Sequence, residues 1–135
     1  MTKYVLPVRV YLEDTDAQGV VYNASYFRFM ERARTECLRA CGIDHDQLRE
    51  EHGIVLVLSA IEARFKAPAR LSDMLYVSAD VSEARGARML FAQAVRRDNP
   101  DGDVVCEGSA EVACMDARGG KPRRLPEALM SELTQ

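Results

Sequence analysis

The sequence predicts an α+β fold in which an antiparallel sheet of about five strands wraps around one long helix. Three observations carry this expectation. An alternating strand pattern over residues 4–12 precedes an amphipathic stretch long enough to cross a sheet. Four more strand patterns then follow one another between residues 54 and 115, with turn residues in the gaps. Helix and strands are segregated, which disfavours a doubly wound arrangement. Consecutive strands with short links pair antiparallel and leave one sheet face to be covered, and one long helix is there to cover it.

In residues 4–12, Val8, Val10 and Leu12 face one way and Arg9 and Tyr11 the other, the period of a half-buried strand. The long helix runs from about Ala24 to Cys41. Tyr26, Phe27, Met30, Ala33, Cys37, Leu38 and Cys41 recur at three- and four-residue spacing, with Arg28, Arg32, Glu36 and Arg39 on the other side. Its length is about 27 Å. Asn23 is placed as its N-cap and Gly42 as the left-handed residue beyond its end. Asp44-His-Asp-Gln47 has the form of a capping box for a shorter helix that ends near Gly53. Residues 54–66, 74–83, 88–97 and 104–115 alternate as strands. The separators Ala67–Asp73, Glu83–Gly86 and Asp98–Asp103 carry turn chemistry, and the last, with Asn-Pro-Asp-Gly inside it, is the strongest hairpin signal. Gly119, Gly120 and Pro122 close the sheet, and Leu125 to Leu133 add a terminal helical turn or two.

With 135 residues the chain is expected to form one domain over residues 1–135. The net charge of −3 leaves no basic field for nucleic acid. Its longest apolar run, Ile54 to Leu58, is far short of the roughly 20 residues of a membrane span. The start Met1-Thr-Lys-Tyr-Val-Leu-Pro7 lacks the apolar centre of a signal peptide, so a cytoplasmic location is expected. Cys37 and Cys41 share the inner helix stripe, and Cys106 and Cys114 share a strand face. Without a Cys-x-x-Cys pair they read as packing thiols. His45 and His52 lie seven apart on the short helix and lack a third ligand, so they read as surface residues. Neither metal nor cofactor is expected.

The segment Glu13-Asp-Thr-Asp-Ala-Gln-Gly-Val-Val-Tyr-Asn-Ala-Ser-Tyr26 is the most informative part of the chain. It sets three carboxylates and a glycine between the first strand and the long helix. A helix N-terminus presents unpaired N–H groups and a partial positive charge, and a nearby acid adds a base or a nucleophile. For Glu13 and Asp14, a solvated loop face is as good an expectation as a place in the site. Asn23 has a cap role beside any contact with substrate.

The stretch from Val10 to Glu36, with Glu13-Asp-Thr-Asp16, Gly19-Val-Val-Tyr22 and Glu31-Arg-Ala-Arg-Thr-Glu36, closely resembles the signature of hotdog-fold acyl-CoA thioesterases. The likeness is to the 4-hydroxybenzoyl-CoA thioesterase family, and within it to the bacterial branch associated with the Tol-Pal envelope system. It extends more weakly through Phe65–Leu75 to Lys121-Pro-Arg123. The resemblance implies a hotdog fold, hydrolysis of an acyl-CoA, and Asp16 as the catalytic carboxylate, either activating a water or attacking the thioester itself. It implies that backbone N–H at the helix start, that of Asn23, polarises the thioester oxygen. Gly19 allows the tight turn between the two groups. Gly19, Val20, Asn23 and Tyr26 are the expected substrate-binding residues, with packing as the other reading of Tyr26. One departure is visible: the branch commonly carries His where this chain has Asn23, and asparagine does not titrate near neutral pH.

Coenzyme A brings phosphates that an acidic protein must meet with local cations. Lys66, Arg85 and Arg88 are the candidates, and solvated surface charge is their plainer reading. Acyl carrier protein is the alternative carrier of the acyl group. The resemblance also implies a homodimer or homotetramer, and an open sheet edge would favour such pairing. Two other hotdog functions compete, a dehydratase and a non-hydrolytic acyl-CoA binding protein. Asp14-Thr-Asp16 after an apolar strand also resembles the start of haloacid-dehalogenase-like phosphatases, whose fold alternates strands and helices, unlike residues 54–115.

Overall fold

The computed structural model describes residues 2–134. Its strands are β1 (Lys3–Arg9), β2 (Ile54–Phe65), β3 (Met74–Arg85), β4 (Arg88–Arg97) and β5 (Val104–Asp116). They form one sheet in the order β1-β3-β4-β5-β2, and every neighbouring pair is antiparallel. The long helix α1 (Asn23–Ala40) lies across it, chiefly over β1 and β3. A short helix α2 (His45–Gln47) runs into a π turn (Leu48–His52), and α3 (Glu127–Thr134) closes the chain.

The two periodicities of the sequence meet in the core. Phe29, Met30, Ala33 and Cys37 on α1 are fully or almost fully buried. Opposite them stand every second residue of β3 (Leu75, Val77, Ala79, Val81) and of β4 (Met89, Phe91, Gln93, Val95), apolar but for Gln93. Cys37, Cys106 and Cys114 are buried and Cys41 half-buried, all as free thiols. Burial pushes the Cys37 thiol up to about 12, helped by Cys41 and Asp80, and those of Cys106 and Cys114 up to about 11.

At Gly108 two strands meet backbone to backbone. An added Cβ there would lie 2.0 Å from the Glu62 carbonyl oxygen and 3.0 Å from Ala63 Cα. Only glycine lets β5 approach β2 this closely, near the register shift between Leu58 and Ala60.

Two expectations at the ends of elements are corrected. The first strand stops at Arg9, and Leu12 is 74% exposed instead of sharing the buried face with Val8 and Val10. The Asp14 carboxylate accepts the Tyr11 N–H at 2.8 Å, and this closes Leu12–Asp14 into a 3-10 turn that swings Leu12 outward. Asn23 is not the N-cap of α1. Tyr22 holds that position with extended backbone and no side-chain cap hydrogen bond, and Asn23 is the first helical residue. The reason is a strand-like tether: the Tyr22 N–H donates to the Asp14 carbonyl at 2.9 Å, which keeps the chain extended one residue further. At α2, Asp44 does cap, accepting from the N–H groups of Asp46 and Gln47. Gln47 turns its side chain to Glu51, so the reciprocal half of the box is absent.

Candidate active site

The loop between β1 and α1 is a miniature hairpin. Thr15 bridges Val21, the Asp16 N–H donates to the Val20 carbonyl at 2.9 Å, and the Gly19 N–H donates to the Asp16 carbonyl at 3.0 Å. Gly19 has φ +78, the left-handed region that this turn demands and that glycine enters freely. One carboxylate oxygen of Asp16 accepts the Gln18 N–H at 2.8 Å, the local bond aspartate typically makes in a turn. The other oxygen has no hydrogen-bond partner among the described residues, and the side chain is half-buried. Asp16 is thus fixed at one oxygen and available at the other.

Asp14 has a different task. It is 6% exposed, so the solvated face expected for the loop acids holds for Glu13 and fails for Asp14. Its carboxylate accepts from the Tyr11 N–H and, at 3.1 Å, from the Arg28 guanidinium on α1. Its carbonyl accepts from the Tyr22 N–H and the Ser25 hydroxyl. Four hydrogen bonds to this one residue, from Tyr11, Arg28, Tyr22 and Ser25, therefore hold the loop together and tie it to the start of the helix. Sequence reasoning missed this. The available signal was Ser25, a hydroxyl beside Tyr26 on the inward side of the first helical turn.

Asn23 and Ala24 open α1 on its exposed side. Their N–H groups have no acceptor among the described residues, as the geometry of a helix start dictates. The turn that carries Asp16 is joined to this helix end through the Thr15–Val21 bridge. The loop rests on a shelf formed by residues 67–73. Val21 N–H donates to the Ala69 carbonyl, Val10 exchanges hydrogen bonds with Ser72 and Asp73, and Val20 bridges Arg70. Around this junction stand five exposed apolar side chains, Tyr11, Leu12, Tyr22, Phe65 and Leu71.

Gly19 and Val20 accompany Asp16 in the turn, and Val20 is half-buried. Tyr26 lies behind the site in the core at 3% exposure, its ring 6.2 Å from that of Phe29 and 5.7 Å from that of Phe65. Burial pushes its phenol up to about 12, with the nearby Cys106 adding to the shift. The three proposed phosphate contacts are not gathered. Lys66 pairs with Glu107 at 2.7 Å, Arg85 with Glu83 at 3.8 Å and Arg88 with Glu111 at 3.3 Å. Arg85 and Arg88 flank the β3–β4 hairpin, roughly 30 Å along β3 from the Met74 end where the loop sits. Lys66 is at the site end, and Arg70, passed over in that choice, adjoins Val20 with an exposed side chain that forms no ion pair among the described residues. His45 and His52 are exposed beyond the far end of α1, about 27 Å of helix from Asn23. Among the described residues no helix is long and apolar enough to cross a membrane.

A partly freed carboxylate joined to a helix start with open N–H groups is an arrangement that can attack or hydrate a carbonyl and hold the resulting oxyanion. Known proteins with the same framework can be set beside it. Residues 10–133 match the thioesterase-like superfamily. The chain is 41% identical over 134 residues to the acyl-CoA thioester hydrolase YbgC of Escherichia coli O6:H1, covering 99% of this chain and 98% of that one. The crystal structure of a probable thioesterase from Bartonella henselae superposes with a TM-score of 0.82 at 33% identity, over 92% of this chain and 99% of that one. A 1,4-dihydroxy-2-naphthoyl-CoA thioesterase from Synechocystis shares the fold alone, with a TM-score of 0.89 at 20% identity over 98% of this chain and 96% of that one. With its sheet curled around α1 in the hotdog manner and its match from Val10 to Leu133, the chain belongs to the thioesterase-like superfamily.

Proposed function

We propose that this chain is an acyl-CoA thioesterase that hydrolyses the thioester to free acid and coenzyme A. The observation that carries the proposal is Asp16, with one oxygen bound in its turn and the other without a partner among the described residues, in a turn that the Thr15–Val21 bridge joins to the start of α1. As a base, Asp16 takes a proton from water while the water oxygen attacks the carbonyl carbon. As a nucleophile, it forms an anhydride that water then opens. On either path the tetrahedral intermediate carries negative charge on the former carbonyl oxygen, and the Asn23 N–H at the positive end of α1 meets it. Collapse expels the thiolate of coenzyme A. Gly19 and Val20 shape the turn against the substrate, Asn23 supplies its main-chain N–H, and Tyr26 forms the wall behind.

The full-length likeness to an acyl-CoA thioester hydrolase supports this reading. The same likeness supports the finer assignment to the bacterial branch associated with the Tol-Pal system. For the nucleotide end of coenzyme A, Lys66 and Arg70 lie on the site's own end of the sheet, whereas Arg85 and Arg88 would have to act from another subunit. A homodimer or homotetramer is part of the proposal. β2 is an edge strand with Val57 and Leu58 each 45% exposed, and a second copy would cover it. A dehydratase would need a histidine near Asp16, and both histidines lie at the other end of α1.

A thiol-trapping assay over straight-chain, branched and aromatic acyl-CoAs and acyl carrier protein tests the proposal. Turnover without added metal is expected, with coenzyme A as the preferred carrier. Tight binding of acyl-CoA with no thiol release would replace the hydrolase by a binding protein.

A further inference from the structure

The side chain of Arg28 is 54% exposed on α1, yet one of its nitrogens, Nη2, bridges two buried residues. It donates to the Asp14 carboxylate at 3.1 Å and to the Ser25 hydroxyl at 3.0 Å. Ser25 in turn donates to the Asp14 carbonyl at 3.0 Å, so Arg28, Ser25 and Asp14 close a ring of three hydrogen bonds. An ion pair with so exposed a cation stabilises a fold little, because water competes for it. The Asp14 oxygen that Arg28 holds has no other partner among the described residues, and the side chain around it is 8% exposed. Without the guanidinium this nearly buried anion keeps only the bond from the Tyr11 N–H and must turn outward to reach water.

Such a movement has a short path to the reacting groups. The Asp14 carbonyl accepts from the Tyr22 N–H, one residue before the helix N–H assigned to the oxyanion. Asp16 follows Asp14 by two residues, and its turn is tied to the same stretch by the Thr15–Val21 bridge and by the bond from its N–H to the Val20 carbonyl. Asp14 is thus the point from which both the base and the oxyanion donor are placed. A misplacement of about 1 Å between reacting groups can cost about 100-fold in rate, even when its source lies away from the chemistry.

We propose that Arg28 is a positioning residue for thioester hydrolysis. By pinning Asp14 to the first turn of α1, it fixes the spacing between the Asp16 carboxylate and the Asn23 N–H. It acts through Asp14 and Ser25 and not on the substrate. This inference rests on the hydrolase in the preceding reading and adds the side chain that sets the geometry of its site.

Steady-state kinetics on Arg28→Met and Arg28→Lys tests it, with the acyl-CoA that the parent protein turns over best. Methionine matches arginine in helix propensity and the position is exposed, so circular dichroism should show both variants folded. For Arg28→Met, kcat is expected to fall about 10-fold with KM held within about twofold, the mark of lost geometry and not of lost binding. Arg28→Lys returns a charged donor to Asp14 and is expected to recover most of that loss. In an Asp14→Ala background, Arg28→Met should change kcat by less than about twofold, since nothing remains for it to hold. If Asp14→Ala does not fold, the contrast between Met and Lys still decides. Parental kcat in Arg28→Met would overturn the proposal, and so would Arg28→Lys as slow as Arg28→Met. A loss that persists in full without the Asp14 carboxylate, or one that falls on KM alone, would overturn it too, by making Arg28 a substrate contact. A parent protein that releases no thiol from any acyl-CoA would instead overturn the hydrolase reading itself.

Discussion

Arg28 on the helix reaches back 3.1 Å to the carboxylate of Asp14 in the loop, and so separates the two aspartates of the Glu13-Asp-Thr-Asp16 motif by task. Asp14 is buried and spends its oxygens on Tyr11 and Arg28; Asp16 is half-buried and keeps one oxygen free. Asp14→Asn is expected to lower the free energy of unfolding by about 1–2 kcal/mol, because a nearly buried charged acceptor is lost. Urea denaturation measures this. Turnover per folded molecule should fall far less than for the Asp16 variant.

Asp16→Asn preserves the turn, since an amide oxygen accepts the Gln18 N–H as a carboxylate does. Stability is expected to stay within about 0.5 kcal/mol, as for surface changes generally. Turnover is expected to fall by at least about 100-fold with substrate binding retained, the scale of a lost general base. Single-turnover kinetics beside equilibrium binding of the acyl-CoA separates the two effects. Near-normal turnover would remove Asp16 from the mechanism.

Asn23 permits a main-chain test. As the first helical residue, without a capping bond, it can become Ala with stability unchanged or raised by up to about 0.5 kcal/mol and with activity kept. Asn23→Pro deletes the N–H while fitting the helix, because proline suits the first helical position and Tyr22 before it is already extended at ψ 141. A fall of about 100- to 1000-fold in kcat is expected for Pro and not for Ala, with circular dichroism showing the helix intact in both. Equal activity in the two variants would mean that another donor holds the oxyanion.

Gly108→Ala should open the seam between β5 and β2, since the new methyl would meet backbone and not a movable side chain. A loss of about 1–3 kcal/mol is expected, the range for forced overpacking. Thermal unfolding reports it.

The buried thiols give the protein an alkaline limit. In the unfolded chain they ionise near 9.0, whereas in the folded chain burial raises Cys37 to about 12 and Cys106 and Cys114 to about 11. Folded pKa values above the unfolded ones mean a contribution fully present below pH 9 and lost as pH rises toward the folded values. Unfolding midpoints should therefore drop between pH 9 and 11, and Cys37→Ala should flatten that drop. At pH 8, a thiol reagent should label Cys41, half-buried, well before the other three.

What the sequence by itself determined is what burial writes locally. The 3.6-residue stripe from Tyr26 to Cys41 and the two-residue alternation of the four later strands were legible because each residue's side is set by its own backbone period. The Asp16 turn with Gly19 was legible too, since turn chemistry depends on neighbours in the chain. Tertiary structure decided the rest. Leu12 turned outward and Tyr22 displaced Asn23 from the cap because Asp14 bonds residues on both sides of the loop at once. The register of β3 against β4 put Arg85 and Arg88 at the sheet end away from Asp16. The packing of Gln93 against Met30 turned its amide oxygen to the buried Arg34 guanidinium, 59 residues away in sequence. Each of these rests on partners distant in sequence, and charge, exposure and hydrogen-bond supply are settled only when those partners meet.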